Sequence, residues 1–238
     1  MGNLLKEKSI ERNGDILAGS GCRFRMIKCG KWRGLADPKL VDRVGIEGLT
    51  VHLEETMMRG EVLKNGSKSH VSHTTLGGRD VVIKGYRHLG LLHSLRHTLQ
   101  GSRAKRSWFT AHRLRRLAVP TPTALAYLDE YRRGLLWRSF FIYDYVAGSE
   151  LYVVLNDPAV PGERKRRLID RVMVVLKRLS EGGISHGDLK HSNMICTGDD
   201  VSFIDLDAMR PAFGPDFLKR YRLEKDRARF FRDLEPFR

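Results

Sequence analysis

No run of apolar residues in this sequence approaches the ~18–20 that a membrane-spanning helix needs. The beginning of the chain lacks the apolar core of a secretory signal. Met1-Gly2 opens like a myristoylation signal, but Lys6 stands where Ser or Thr is required. Cysteine is scarce: Cys22, Cys29 and Cys196 are odd in number and widely spaced. That pattern argues against a disulfide frame and a zinc site, and leaves the expectation of reduced thiols in a cytoplasmic chain. Repeats and low-complexity tracts are missing too. The most pointed absence is of acid, since no Asp or Glu occurs from Gly85 to Leu128.

Against these gaps stands a formal charge of +15 over 238 residues, with 41% apolar residues, enough for a core. Such a chain is drawn to polyanions. No RNA-binding aromatic signature, Cys/His finger or basic zipper is present, so no nucleic acid is expected. An acidic lipid surface or a phosphorylated glycolipid fits the charge as well.

Residues 1–20 read as a flexible lead-in, and 21–60 carry no assignable role beyond a short helix capped by Asp37 with Pro38 at its first position. From Glu61 a three-stranded antiparallel meander is predicted: Glu61–Lys64, His70–Leu76 and Val81–Lys84. In its first turn Asn65-Gly66 would supply positive φ and, with Ser67, let backbone amides face a phosphate. Lys84 ends the third strand in Val-Val-Ile-Lys, the pattern V-A-I-K whose lysine contacts the α- and β-phosphates of a nucleotide. The section 103–117 is helical, with Trp108, Ala111, Leu114 and Leu117 on one apolar face and arginines elsewhere. Strands follow at 124–127 and 135–145, then a helix from Arg164 to Ser180 stopped by Gly182-Gly183.

The centre of the sequence is His186-Gly187-Asp188-Leu189-Lys190-His191-Ser192-Asn193, followed by a strand delivering Asp205. Asp188 suits the carboxylate that orients an attacking hydroxyl and accepts its proton. Asn193 and Asp205 suit the amide oxygen and carboxylate that hold Mg²⁺ against nucleotide phosphates. The five-residue step from Asp188 to Asn193 is that of H-R-D-x-x-x-x-N, with Gly in place of Arg.

These motifs resemble the kinase-like phosphotransferases that act on small molecules and sugars, and within them the lipopolysaccharide kinases that phosphorylate inner-core heptose or Kdo. The resemblance runs from about Glu61 onward. It implies an α+β, two-lobed protein-kinase-like fold, with an antiparallel-sheet N-lobe over 21–146 and a reduced, helical C-lobe over 147–238. It also implies ATP and Mg²⁺, with a sugar hydroxyl as acceptor. By the same likeness Lys190 would reach the γ-phosphate, and the hinge beginning Tyr143-Asp144-Tyr145 would pair its backbone with adenine. His186 would brace the loop, and Asp226 belongs to a basic helix, 216–234, whose expected job is packing. Two departures stand out. The A-P-E element is missing, and the helix that normally pairs a Glu with the strand lysine has no acid, leaving Asp205, or less favourably Glu54 and Glu55, as partner of Lys84. The alternatives are a Ser/Thr-type protein kinase and a catalytically inactive kinase-fold binding protein. The charge further implies a peripheral place on the inner face of the cytoplasmic membrane.

Overall fold

Short runs of alternating apolar residues punctuated by turn residues build most of the first unit. The computed structural model describes residues 15–18, 22–87, 90–211 and 216–232. They divide into two units: one takes the chain to Trp108 together with Thr123–Tyr145, the other Phe109–Pro122 and the chain from Val146.

The first unit contains β1 (Asp15–Ala18), β2 (Cys22–Cys29), β3 (Trp32–Ala36), α1 (Pro38–Thr50), α2 (Leu53–Arg59), β4 (Glu61–Asn65), β5 (Ser69–Leu76) and β6 (Arg79–Tyr86). Next come α3 (Leu91–Gln100), α4 (Arg103–Arg116), β7 (Ala124–Arg132) and β8 (Leu135–Asp144), with the division between units falling inside α4. The strands form one antiparallel sheet in the order β1-β2-β3-β7-β8-β6-β5-β4.

One face of this sheet packs Val81, Ile83, Ile142 and Leu128 against Leu40, Leu49, Leu53 and Met57 of α1 and α2. Each such buried aliphatic side chain contributes about 1.5–3 kcal/mol. Helix α1 starts as predicted, with the Asp37 carboxylate accepting from the amides of Lys39 at 2.7 Å and Leu40 at 3.4 Å. The other face carries the row Val71, Lys84, Phe141 and Tyr127, because directly paired residues of antiparallel strands point the same way. Trp108 of α4 is buried there, edge-on to Phe24 at 4.7 Å and tilted against Tyr127 at 5.5 Å.

Several expectations need revision. The meander is the edge of a larger sheet, and residues 22–36, left without a role, supply two of its strands. Of the lead-in, Asp15–Ala18 is strand β1 and the remainder, with the Met1-Gly2 signal, lies outside the described residues. Neither Asn65 nor Gly66 has a positive φ; Gly77 and Gly78 in the next turn do, at +60° and +73°. The positive φ expected of the Asn-Gly turn therefore lies one hairpin later.

The second unit holds β9 (Ser149–Glu150), α5 (Leu151–Asn156), α6 (Gly162–Glu181), β10 (Ile184–Ser185), β11 (Met194–Thr197), β12 (Asp200–Phe203), β13 (Arg210–Pro211) and α7 (Asp216–Arg232). The 3.6-residue period places Leu168, Val172, Val175, Leu176 and Leu179 on one face of helix α6; all but Leu176, which is half-buried, are buried. Strands β12, β11 and β9 form one small sheet, β10 and β13 another. Cys196 is buried, which pushes its thiol up to about 11, and Cys29 is a free exposed thiol. Asp233 and Leu234, the expected end of the last helix, lie outside the described residues. No helix among the described residues is long and apolar enough to cross a membrane.

Candidate active site

The catalytic-loop motif runs from β10 into a short 3-10 turn, His191–Asn193, that leads to β11. Leu189 is fully buried and anchors the middle of the loop. Gly187 adopts φ +76°, and a Cβ there would lie 2.7 Å from the Ala208 carbonyl oxygen. Both facts exclude a side chain, which is why Gly stands where the kinase pattern has Arg. His186 is 1% exposed, and neither ring nitrogen has a hydrogen-bond partner among the described residues. Burial lowers its pKa against the pull of Asp226, Asp205 and Asp188. The ring is thus a neutral packing piece, as a bracing role requires.

Helix α7 fastens this loop through three residues on one face. The buried Asp226 carboxylate accepts from Ser185 Oγ at 2.7 Å and from the amides of His186 at 2.6 Å and Gly187 at 2.9 Å. Charge-assisted bonds of this kind are about twice as strong as neutral ones. One turn on, Arg229 Nη2 forms an ion pair with Asp188 Oδ1 at 2.9 Å. The Phe230 carbonyl accepts from His191 Nε2 at 3.1 Å, with the two rings edge-to-face at 4.8 Å. Asp226 therefore positions the loop as well as packing the helix.

Asp188 itself is partly exposed, and its second oxygen, Oδ2, takes a hydrogen bond from Lys190 Nζ at 3.1 Å. Asn193 Nδ2 donates to the Asp188 carbonyl at 2.9 Å, which leaves the amide oxygen as the atom it could offer a metal. The Asn193 carbonyl in turn accepts from the Ile204 amide at 2.9 Å, joining the loop to the segment that carries Asp205. Asp205 sits at φ 57°, ψ 62°, a left-handed conformation uncommon for a non-glycine residue and tolerated best by Asn and Asp. An amide oxygen and a carboxylate are the hard oxygen donors Mg²⁺ prefers; it commonly takes one or two carboxylates and completes its shell with water and substrate phosphate. These two residues fit that ion. Among the described residues no group of three or more His, Cys, Asp and Glu could hold a metal ion.

The nucleotide-binding candidates belong to the first unit. Lys84 lies on an interior strand and is 7% exposed, so it is no edge charge. Its Nζ stands 5.5 Å from the centre of the Tyr86 ring, which Arg103 also approaches at 4.7 Å. Glu54 and Glu55 are engaged elsewhere, Glu54 with Arg138 and Glu55 with Arg59. The Gly66 amide donates to the Ser69 carbonyl at 3.0 Å, and the Asn65 side chain accepts from Arg87 at 2.6 Å; Ser67 is exposed. That hairpin does not present the Gly66 amide to a phosphate. The Asp144 amide is bonded to Thr123 O and that of Tyr145 to Asp80 O, while Arg79 grips the Asp144 carboxylate at 2.5 and 2.7 Å. The Tyr145 ring stacks on His73 at 3.8 Å. Adenine pairing at these two residues is thereby restricted to their carbonyl groups.

Sequence reasoning missed Arg229 and Phe230. The signal was their spacing from Asp226, three and four residues, which places all three on one helical face.

The chain is similar in fold to the solved structure described as WaaP in complex with acyl carrier protein, with a TM-score of 0.61, 20% identity, and 84% of this chain and 80% of that chain covered. No curated protein matches it. The model of the lipopolysaccharide kinase (Kdo/WaaP) family matches residues 54–230, a span that includes Lys84, the whole catalytic loop, Asp205 and Arg229. With most of its length so matched, the chain belongs to the lipopolysaccharide kinase (Kdo/WaaP) family.

Proposed function

We propose that this protein transfers the γ-phosphate of ATP to a sugar hydroxyl of the lipopolysaccharide inner core, on heptose or Kdo. The observation that carries the reading is the single bonded framework of Asp188, Asn193 and the Asp205 segment, linked through Asn193 Nδ2 and the Ile204 amide. Asp188 Oδ2 orients the acceptor hydroxyl and takes its proton as that oxygen attacks the γ-phosphorus. The bond from phosphorus to the bridging oxygen breaks, and ADP leaves with the electron pair. Asn193 and Asp205 would hold Mg²⁺, which supplies charge neutralisation on the phosphate oxygens. Lys84 is assigned to the α- and β-phosphates, and Lys190 to the γ-phosphate. Little covalent work falls to the protein in such a transfer; positioning and electrostatics carry it.

The acid-free segment and the net charge of +15 support a peripheral, cytoplasmic site of action at an anionic membrane surface. The test is turnover of ATP labelled at the γ-phosphate, with core lipopolysaccharide, free sugars and a generic protein offered in parallel. Label is expected on the glycolipid and absent with Asp188→Asn. Label on the protein acceptor instead, or retained turnover in the variant, overturns the reading.

A further inference from the structure

The three α7 contacts with the loop are not equivalent. Asp226 holds backbone and a serine, Phe230 holds a histidine, and Arg229 alone touches the carboxylate that the proposed chemistry uses. We propose that Arg229 is a positioning residue for phosphoryl transfer: its guanidinium fixes the plane of the Asp188 carboxylate through Oδ1, leaving Oδ2 for the acceptor hydroxyl. The inference rests on the kinase reading above.

A loop that is fixed at its backbone does not by itself fix a carboxylate, because the terminal torsion of Asp is broad and two-fold. Pinning one oxygen removes that freedom. Each carboxylate oxygen has two acceptor sites, so the two bonds now made leave room for a hydroxyl.

Two cations compete for the pinning role, and the structure separates them. Lys190 lies two residues from Asp188 on the same loop, its side chain 43% exposed on a flexible stem. Such an ammonium exchanges readily from carboxylate to phosphate. Arg229 projects from a helix already tied to the loop at Asp226 and Phe230. Its Nε is enclosed and has no hydrogen-bond partner among the described residues, so packing sets the direction of the guanidinium. Arginine is also the planar, pre-organised donor of the two. Lys190 is the cation that leaves for the transferred phosphoryl group, and Arg229 is the one that stays. The motif position next to Asp188 has no room for a side chain, since Gly187 is closed off by Ala208. A fixed cation must therefore come from elsewhere in the chain, and α7 supplies it.

The test compares full-length Arg229→Gln and Arg229→Lys with the parent, alone and combined with Asp188→Asn, using ATP and core lipopolysaccharide. Misplacement of a reacting group by about 1 Å costs about a hundredfold, so kcat of Arg229→Gln should fall tenfold to a hundredfold. KM for ATP should stay within about threefold, and Arg229→Lys should recover part of the loss. On the Asp188→Asn background, where turnover is lost, the cycle is read from thermal unfolding: Arg229→Gln should cost little further in Tm, because a residue acting through another loses its effect when that partner is gone. Retained kcat in Arg229→Gln, or an equal loss of Tm in both backgrounds, overturns the proposal. A parent protein inactive on every acceptor refutes the kinase reading instead. The pairing is then read from thermal unfolding: losses in Tm that are less than additive in the double variant support it, and strictly additive losses overturn it.

Discussion

The first carboxylate after the acid-free segment offers a quantitative test of the first unit. Asp129 is 3% exposed on β7, and burial raises its pKa from the ordinary 3.8 to about 7, against the opposing hydrogen bond of Ser102 and the charge of Lys105. Ser102 caps α4 through the Lys105 amide at 2.9 Å, so Asp129 lies under the start of the basic helix. The folded-state pKa lies above the unfolded one. Between those values the folded chain keeps a proton that the unfolded chain gives up, and stability falls as pH rises from about 4 to 7. At 1.36 kcal/mol per pH unit, the two units from pH 5 to pH 7 amount to about 2.7 kcal/mol. Asp129→Asn removes the titration. Its Tm relative to the parent should therefore be higher at pH 8 than at pH 5 by about 5–10 °C, at 2–4 °C per kcal/mol for a chain of this size. His112, whose pKa is lowered to about 4 by burial and by Arg115 and Arg116, opposes this trend in both proteins and cancels in the difference. Calorimetry of the two proteins across that range decides the matter. A difference that does not change with pH means that the Asp129 carboxyl ionises in the folded protein as it does in water.

Other outcomes follow from the loop and the helices around it. Asp188→Asn should abolish phosphotransfer while leaving ATP affinity within a few-fold, whereas Asp205→Asn should lose Mg²⁺-dependent nucleotide binding; calorimetric titration with Mg-ATP separates the two, and unchanged binding in Asp205→Asn refutes its metal role. Asp226→Asn keeps a single acceptor oxygen for three donors, so it should lower stability by on the order of 3 kcal/mol and kcat at least tenfold. An unshifted Tm with normal kcat would show that α7 merely packs. Arg115 and Arg116 are exposed, while Arg113 bonds the Gly182 carbonyl at 2.9 Å. Reversing only Arg115 and Arg116 to Glu should weaken sedimentation with anionic glycolipid vesicles at low salt and leave folding intact; indifference to both charge and salt would reduce this face to a solvated one.

The loop that carries Asp188 and Asn193 was legible as a motif because it is written in consecutive residues whose order matters more than their surroundings. Helices α4 and α6 were legible because their buried faces repeat at the helical period over several turns. Strands β2 and β3 were not: they are short, rich in Arg and Lys, and become strands through pairing with each other and with β7, a contact some hundred residues distant along the chain. The Asn-Gly turn misled because a favoured dipeptide is a weak local preference, while the Gly66–Ser69 bond and the Arg87 contact with Asn65 fix that loop otherwise. Arg229 was passed over for a different reason. Its three-residue step from Asp226 marks the face it lies on, but a basic residue in a basic helix does not show what that face meets until the helix is docked.

The fastening of the loop by α7 has a consequence in time as well as in space. Every donor that Asp226 receives comes from residues 39 to 41 positions earlier in the chain. During synthesis the motif residues Asp188, Asn193 and Asp205 all emerge before the carboxylate that arranges them. A nascent or truncated chain ending before Asp226 would carry every signature of a phosphotransferase and yet lack the clasp that makes the loop rigid. On the proposed function, competence should arrive with one late turn of helix, and a premature stop there should silence the protein without touching any residue of its motif.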